Sequence, residues 1–306
     1  MSTDARIDIP AGSWVDRHLP PPARPYARLA RLDRPIGTWL LLLPCWWGLA
    51  LAPRPGGFGW VDLYYALLFA IGAVVMRGAG CTINDILDRD FDARVARTRT
   101  RPLPAGEITL KGAFAFLGAQ LLLGLLVLVQ FNWAAVAWGA ASLALVVPYP
   151  LMKRITWWPQ AFLGLTFNWG IWVGWVAVHG GIGWPPLVLY AAGVAWTIGY
   201  DTLYAHQDKD DDELIGVKST ARLWGDASRQ WVALFYVLAL AGMVAAVLLA
   251  GQSWWVALLV ALTGGHLAWQ VGFWAMDDAR DCLRRFKSNR DFGLLVALAL
   301  VLGSVV

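Results

Sequence analysis

Apolar runs long enough to cross a bilayer follow one another along the whole chain, and that succession restricts the fold more than any motif does. They fall at residues 36–52, 62–84, 110–130, 133–149, 159–178, 186–205, 231–250, 253–276 and 291–306. A helix needs about 20 residues to cross the hydrocarbon core, so nine transmembrane helices are expected, the first and last near the short limit. The runs are continuously apolar rather than alternating in ten-residue units, which favours helices over barrel strands. The expected fold is therefore all-α, a single polytopic bundle covering residues 1–306. With 58% hydrophobic and 15% charged residues and a mean hydropathy of +0.52, the chain lies outside the soluble range.

Charge distribution supports the same count. With nine spans, the amino terminus and the loops after the second, fourth, sixth and eighth spans share one side. Of the 25 Lys and Arg residues, all but Arg54 and Arg77 lie there or at the adjoining helix ends. The opposite loops hold Asn132, His179-Gly180-Gly181 and Gly251-Gln252-Ser253. The positive-inside rule places the basic side in the cytoplasm, here expected to be that of a bacterial inner membrane. Residues 1–35 form a polar, proline-bearing cytoplasmic segment without the apolar stretch of a cleaved signal, and residues 85–109 and 206–229 form cytoplasmic cap loops. Trp46-Trp47, Trp157-Trp158 and Trp254-Trp255 flank span ends and read as an interfacial belt, whereas Trp169, Trp172 and Trp175 read as packing or lipid-facing residues. Pro44 and Pro148 are candidate kinks.

Two acidic stretches interrupt the apolar chain, both at the ends of spans on the basic side. Asn84, Asp88 and Asp92 recur every fourth residue, which aligns them on one helical face. Asp208 and Asp212 repeat that spacing, with Asp201 two turns earlier on nearly the same side. Carboxylates at a membrane edge call for a cationic partner or a metal. Mg²⁺ takes oxygen ligands and is commonly held by one or two carboxylates with substrate phosphates, so these acids suit a diphosphate bridged by Mg²⁺. Asp210, Asp211 and Glu213 read as solvated loop acids.

Basic residues accompany both groups. Arg94, Arg97, Arg99 and Arg101 follow the first, Lys153 and Arg154 close the fourth span, and Lys209 and Lys218 flank the second. Arg grips phosphate oxygens bidentately and Lys supplies a mobile charge. Arg280, Arg284, Arg285, Lys287 and Arg290 read instead as topology signals. The net charge of +4 and the membrane spans argue against nucleic-acid binding. Cys45, Cys81 and Cys282 form no metal-ligand spacing, and no Walker loop, Rossmann fingerprint, H-E-x-x-H or G-x-S-x-G occurs.

The run from Asn84 to Asp92, followed by Arg97-Thr98-Arg99-Thr100-Arg101-Pro102-Leu103-Pro104-Ala105-Gly106, resembles the first signature of the UbiA-type intramembrane aromatic prenyltransferases. Gly199 to Asp212, continuing to Gly216-Val217-Lys218-Ser219-Thr220, resembles the second. Arg31 to Trp39 and Tyr149 to Arg154 match further segments, in the expected order. The resemblance is strongest to members acting on 4-hydroxybenzoate. It implies nine helices around a cavity open sideways to membrane lipids, and Mg²⁺-dependent transfer of a prenyl chain from polyprenyl diphosphate to the ring carbon ortho to the phenol, in ubiquinone biosynthesis. It assigns Asn84, Asp88, Asp92, Asp208 and Asp212 to metal, with Asp88, Asp208 and Arg154 catalytic. Arg94, Arg101, Lys153, Arg154, Lys209 and Lys218 are expected on diphosphate, and Arg34, Asp201 and Tyr149 on the acceptor. Acceptor choice rests chiefly on Arg34-Pro35-Ile36-Gly37-Thr38. Alternatives are another acceptor (homogentisate, a naphthoate or a tetrapyrrole), prenyl diphosphate hydrolysis, and ion-coupled transport, although transporter acids favour the membrane midplane.

Overall fold

Every apolar run of the sequence has become helix: Ile36–Leu51, Trp60–Leu87, Leu110–Leu128, Trp133–Ile155, Pro159–His179, Trp184–Ala205, Ser228–Leu249, Trp254–Gly272 and Ala279–Val305. The structure, a computed structural model, describes residues 12–54, 56–94, 98–209 and 216–305. Among the described residues there is no β-strand, and six helices are long and apolar enough to cross a membrane. The protein is thus all-α and polytopic in character. The stretches read as loops carry short helices too, Arg89–Asp92 after the first acidic group and Thr220–Trp224 after the second.

The chain groups into two compact units, Met1–Trp39 with Ala70–Gln130, and Leu40–Phe69 with Phe131–Val306. In the first, Leu29, Leu103, Ile108 and Ala113 form a buried cluster against Tyr26, Ile86 and Phe116. Small residues let its helices approach. A Cβ on Gly78 would sit 3.1 Å from that of Ala30 and 2.6 Å from Gln120 Nε2. Close by, Thr82 Oγ1 donates to Gln120 Oε1 (3.1 Å), a polar tie of the kind that holds helices together where lipid supplies no hydrophobic drive.

In the second unit, Gly48 and Gly174 face backbone directly: a Cβ on the former would meet the Ile171 carbonyl, and on the latter the Cys45 carbonyl. Helices Ile36–Leu51 and Gly170–His179 therefore touch main chain to main chain. The expectation that Trp47 joins an interfacial belt is corrected here. It is fully buried, donates Nε1 to the Gly293 carbonyl (2.9 Å) and packs 5.0 Å from Trp196. Trp157, Trp158 and Trp254 are exposed. Trp172 and Trp175 are buried, consistent with packing.

Three long helices of this unit are broken where a polar side chain bonds a backbone carbonyl one turn back. Ser142 Oγ donates to Gly139 O (2.6 Å), Asn168 Nδ2 to Gly164 O (2.9 Å) and Thr263 Oγ1 to Val260 O (2.6 Å). Such bonds compete with the ladder and bend the helix. Pro148 marks a further break, while helix Ile36–Leu51 runs on through Pro44.

Arg285, read from sequence as a topology signal, is buried and structural. It pairs with Asp281 (2.6 Å), donates to the carbonyls of Trp269, Gln270 and Phe273, and lies 4.9 Å over the Trp269 ring. A guanidinium on the last carbonyls of helix Gly264–Gly272 satisfies acceptors that the helix leaves open.

Candidate active site

The first acidic group sits where helix Trp60–Leu87 gives way to the single turn Arg89–Asp92. The break does not disturb the spacing read from the sequence. Asp88 N donates to Asn84 O (2.9 Å) and Asp92 N to Asp88 O (2.7 Å), so the three residues remain linked by i→i+4 bonds along one line. Asn84 is half-buried, and Asp88 and Asp92 are 4% and 5% exposed.

Asp85 explains what supports this line. It points off the Asn84–Asp88 stripe, is fully buried, and accepts from Arg31 Nη2 (2.8 Å) and Arg101 Nη1 (3.3 Å). Arg101 Nη1 also donates to Asp92 Oδ2 (2.8 Å). Arg31–Asp85–Arg101–Asp92 is thus a chain of alternating charge beneath the group. Sequence reasoning missed Asp85 and Arg31 as site residues, although both lie inside the motif segments. The available signal was an acid seven residues before Asp92, hence on nearly its helical face and beside the Asn84–Asp88 line, where a second carboxylate needs a cation of its own. Arg101, expected on diphosphate, is placed against these carboxylates. Burial pushes the Asp92 carboxyl above the ordinary range; Arg101 pulls it down, and the neighbouring Asp85 and Asp88 charges push it up again. Counted as formal charges, Asp85, Asp88 and Asp92 exceed Arg31 and Arg101 by one negative charge.

That excess, and a donor set of oxygens only, fit a hard divalent cation such as Mg²⁺. Among the described residues no three His, Cys, Asp or Glu side chains gather closely enough to complete a metal cage. Mg²⁺ habitually keeps waters and substrate oxygens in its shell, so an incomplete protein cage is compatible with it.

Other expected residues of this unit are Arg34, half-buried with Nε 3.6 Å from Asp33 Oδ1, and Arg94, exposed just after the acidic turn. In the second unit, Tyr149 opens and Lys153 and Arg154 close the helix Tyr149–Ile155. Asp201 is half-buried on helix Trp184–Ala205. A tighter 3-10 turn, His206–Asp208, follows this helix and interrupts the α-helical register expected from Asp201 to Asp208. Asp212, with Asp210, Asp211 and Glu213, lies outside the described residues, as does Arg97. Lys209 follows Asp208 and is half-buried. Lys218 is tied to the Tyr149–Ile155 helix: its N–H donates to Lys153 O (3.0 Å), Nζ to Ile155 O (3.2 Å), and Nζ stands 6.0 Å over Trp157. Beyond it, Thr220 N donates to buried Gln160 Oε1 (3.1 Å), and the Thr220 and Thr202 hydroxyls are 2.6 Å apart. The strand of matched sequence from Gly216 to Thr220 is therefore fastened to helices Pro159–Phe167 and Trp184–Ala205, a role that no local pattern announced.

Residues 41–299 match the model of the UbiA prenyltransferase family. The chain belongs to that family. Among curated UbiA-family relatives, it is 52% identical over 92% of its length to 4-hydroxybenzoate polyprenyltransferase, mitochondrial, of Aedes aegypti, spanning 64% of that protein. It is 53% identical over 95% of its length to the protein of the same name from Rattus norvegicus, covering 78% of it. A UbiA homolog from Aeropyrum pernix K1 superposes with a TM-score of 0.68 at 26% identity, covering 87% of this chain and 96% of the other. The UbiA homolog from Archaeoglobus fulgidus bound to GPP and Mg²⁺ shares the fold, with a TM-score of 0.71 at 19% identity and coverage of 91% and 98%.

These relatives correct one expectation. The bacterial inner-membrane placement, with cytoplasmic acidic loops, rested on charge asymmetry alone, whereas the similar curated proteins are mitochondrial proteins of animals and a plant. Charge asymmetry distinguishes the two sides of a membrane and carries no information on which membrane it is.

Proposed function

We propose that this protein transfers a polyprenyl group from polyprenyl diphosphate to the 3-position of 4-hydroxybenzoate, ortho to the phenol, releasing diphosphate in ubiquinone biosynthesis. The observation that carries the reading is the bonded line Asn84–Asp88–Asp92, braced by Arg101 at the end of an apolar helix. The supporting relatives are 4-hydroxybenzoate polyprenyltransferases at 48–53% identity. In this reading nine helices cross the membrane, the six apolar ones together with Ile36–Leu51, Trp184–Ala205 and Ala279–Val305.

Asn84, Asp88, Asp92, Asp208 and Asp212 are the residues assigned to hold Mg²⁺. When bound, Mg²⁺ supplies positive charge against the charge that grows on the departing diphosphate. Arg94, Arg101, Lys153, Arg154, Lys209 and Lys218 hold diphosphate oxygens, with Arg154 acting alongside Asp88 and Asp208 at the reacting end. Arg34, Tyr149 and Asp201 orient the acceptor. The prenyl C1–O bond breaks with its electron pair going to diphosphate, and the allylic cation forms a C–C bond with the electron-rich ring carbon. That carbon then loses its proton to diphosphate or a nearby carboxylate as aromaticity returns. Apolar walls strengthen these charge interactions and keep water from capturing the cation.

The test is mass identification of the product from purified protein, 4-hydroxybenzoate, Mg²⁺ and prenyl diphosphates of several lengths. Prenylated 4-hydroxybenzoate is the expected result. Prenol alone, or product only with a different aromatic acceptor, would overturn the assignment.

A further inference from the structure

Val217, Lys218 and Ser219 belong to no helix or strand. Such a backbone has no ladder to satisfy its polar groups, so partners must come from elsewhere. Here they come from other parts of the same unit. Lys218 N–H donates to Lys153 O (3.0 Å), near the end of helix Tyr149–Ile155. Thr220 N–H donates to Gln160 Oε1 (3.1 Å), in the first turn of helix Pro159–Phe167. Gln160 and Thr220 are 3% and 0% exposed, so their bond is made out of water.

A third anchor is Thr202, fully buried and directly after Asp201. Its hydroxyl has one proton, which goes to Ile198 O (2.6 Å). In the 2.6 Å pair with Thr220 it is therefore Thr220 that donates. The two helices that offer these anchors are locked to each other. Asn168 Nδ2, at the end of Pro159–Phe167, donates to Thr197 Oγ1 (2.8 Å) on Trp184–Ala205. A Cβ on Gly164 would sit 3.1 Å from the Val194 Cα and carbonyl oxygen. Thr220 is thus held at its N–H and at its hydroxyl by one platform, two residues after Lys218.

We propose that Gln160 and Thr220 are positioning residues for the diphosphate of the donor: they fix the backbone of Lys218 beside that of Lys153, so that Lys153, Arg154 and Lys218 meet one substrate. The proposal rests on the reading of the protein as a prenyltransferase and on the assignment of those three cations to diphosphate. Both residues act through the backbone of the segment. A lysine ammonium rides on a flexible four-carbon stem, so its reach is only as well defined as the main chain that carries it. Groups that bind and orient a substrate work only when held to a fraction of an ångström. In a segment without regular structure, the side chains of Gln160, Thr202 and Thr220 supply that restraint.

The test compares wild type with Gln160→Met, Thr220→Val and Thr220→Ser, purified in detergent, with geranyl diphosphate and 4-hydroxybenzoate as substrates. Inorganic diphosphate is also titrated calorimetrically in the presence of Mg²⁺, and hydrogen exchange is followed across residues 216–223. Q160M and T220V keep the approximate shape of the side chain and lose its bond. Each should raise KM for geranyl diphosphate and Kd for inorganic diphosphate by about 2- to 10-fold, the worth of one hydrogen bond. KM for 4-hydroxybenzoate should stay unchanged, and the segment amides should exchange faster. T220S, which keeps the hydroxyl, should retain the donor affinity of wild type, and the two Thr220 variants carry the test if Q160M does not fold. Lowered thermal stability with unchanged diphosphate affinity, or equal losses for donor and acceptor, would overturn the proposal. Failure of the prenyltransferase reading itself would appear separately, as absence of prenylated benzoate from wild type, with the diphosphate titration still reporting on the positioning.

Discussion

Arg31 reaches Asp85 across 54 positions of sequence, Nη2 to Oδ1 at 2.8 Å, from a backbone held at φ +57°. Among the described residues it is the one non-glycine with positive φ. For a side chain with a Cβ that conformation costs about 1–2 kcal/mol, so surrounding bonds must hold it. The Arg31 side chain supplies two of them, one to Asp85 and one to the Arg28 carbonyl (3.0 Å).

Breaking this pair should therefore be felt beyond Asp85. Arg31→Ala leaves a buried carboxylate short of one cation and is expected to destabilise the protein by about 3–5 kcal/mol. Thermal unfolding in detergent measures the loss, and Arg31→Lys should recover part of it. An R31A protein as stable as wild type would show the pair to be incidental.

Asp88→Asn and Asp208→Asn preserve shape while removing a carboxylate assigned to the proposed metal site. Both variants should remain folded and inserted and lose most turnover, as chromatography of the prenylated product would reveal. Chelation of divalent cations from wild type should have the same effect. Full activity of either variant at ordinary Mg²⁺ concentrations would remove that residue from the site.

Acceptor dependence separates Arg34 from a purely topological role. Arg34→Ala should raise KM for 4-hydroxybenzoate by about 10- to 150-fold if the bond is direct, with a smaller effect on the prenyl donor. Steady-state titration of each substrate decides, and unchanged acceptor dependence would exclude Arg34.

Gly180 and Gly216 flank the 22-residue helix Trp184–Ala205, whose length of about 33 Å matches a bilayer crossing. Single cysteines introduced at the two glycines should react with impermeant reagents from opposite faces. Of the native cysteines, Cys81 and Cys282 are buried and Cys45 half-buried. Labelling from one face would mean that this helix does not cross.

Asp281 provides a pH signature outside the apolar part of its helix. Burial alone would raise its carboxyl, but hydrogen bonds from Arg285 and the Ala275 N–H, with the charges of Arg285 and Arg284, bring it below 3.8. A depressed carboxyl contributes stability that is present above its unfolded value and is lost as pH falls through the folded one. Asp281→Asn should therefore be less stable than wild type at neutral pH and converge with it in acid, measured by thermal unfolding.

The helices and the acid stripe were legible in the sequence because both are local: apolar length fixes a span, and a four-residue repeat fixes a face. Trp47 and Asp85 were not, because their partners lie far along the chain, and Arg285 was not, because its carbonyl acceptors sit at the end of the preceding helix, Gly264–Gly272, and no local pattern turns it toward them. Nothing near Trp47 indicates the Gly293 carbonyl, and nothing near Asp85 selects Arg31. The Gly48 and Gly174 contacts were hidden for a related reason. A glycine in an apolar run reads as permissive until the opposing backbone is known.

The three interrupted helices have a consequence for the membrane itself. A bend in hydrocarbon offers its polar side chains no water to bond. Ser142, Asn168 and Thr263 each spend a donor on a carbonyl of their own helix that also accepts a backbone N–H. The polar group at each bend is therefore satisfied inside its helix, and the surrounding bilayer need not supply it with water.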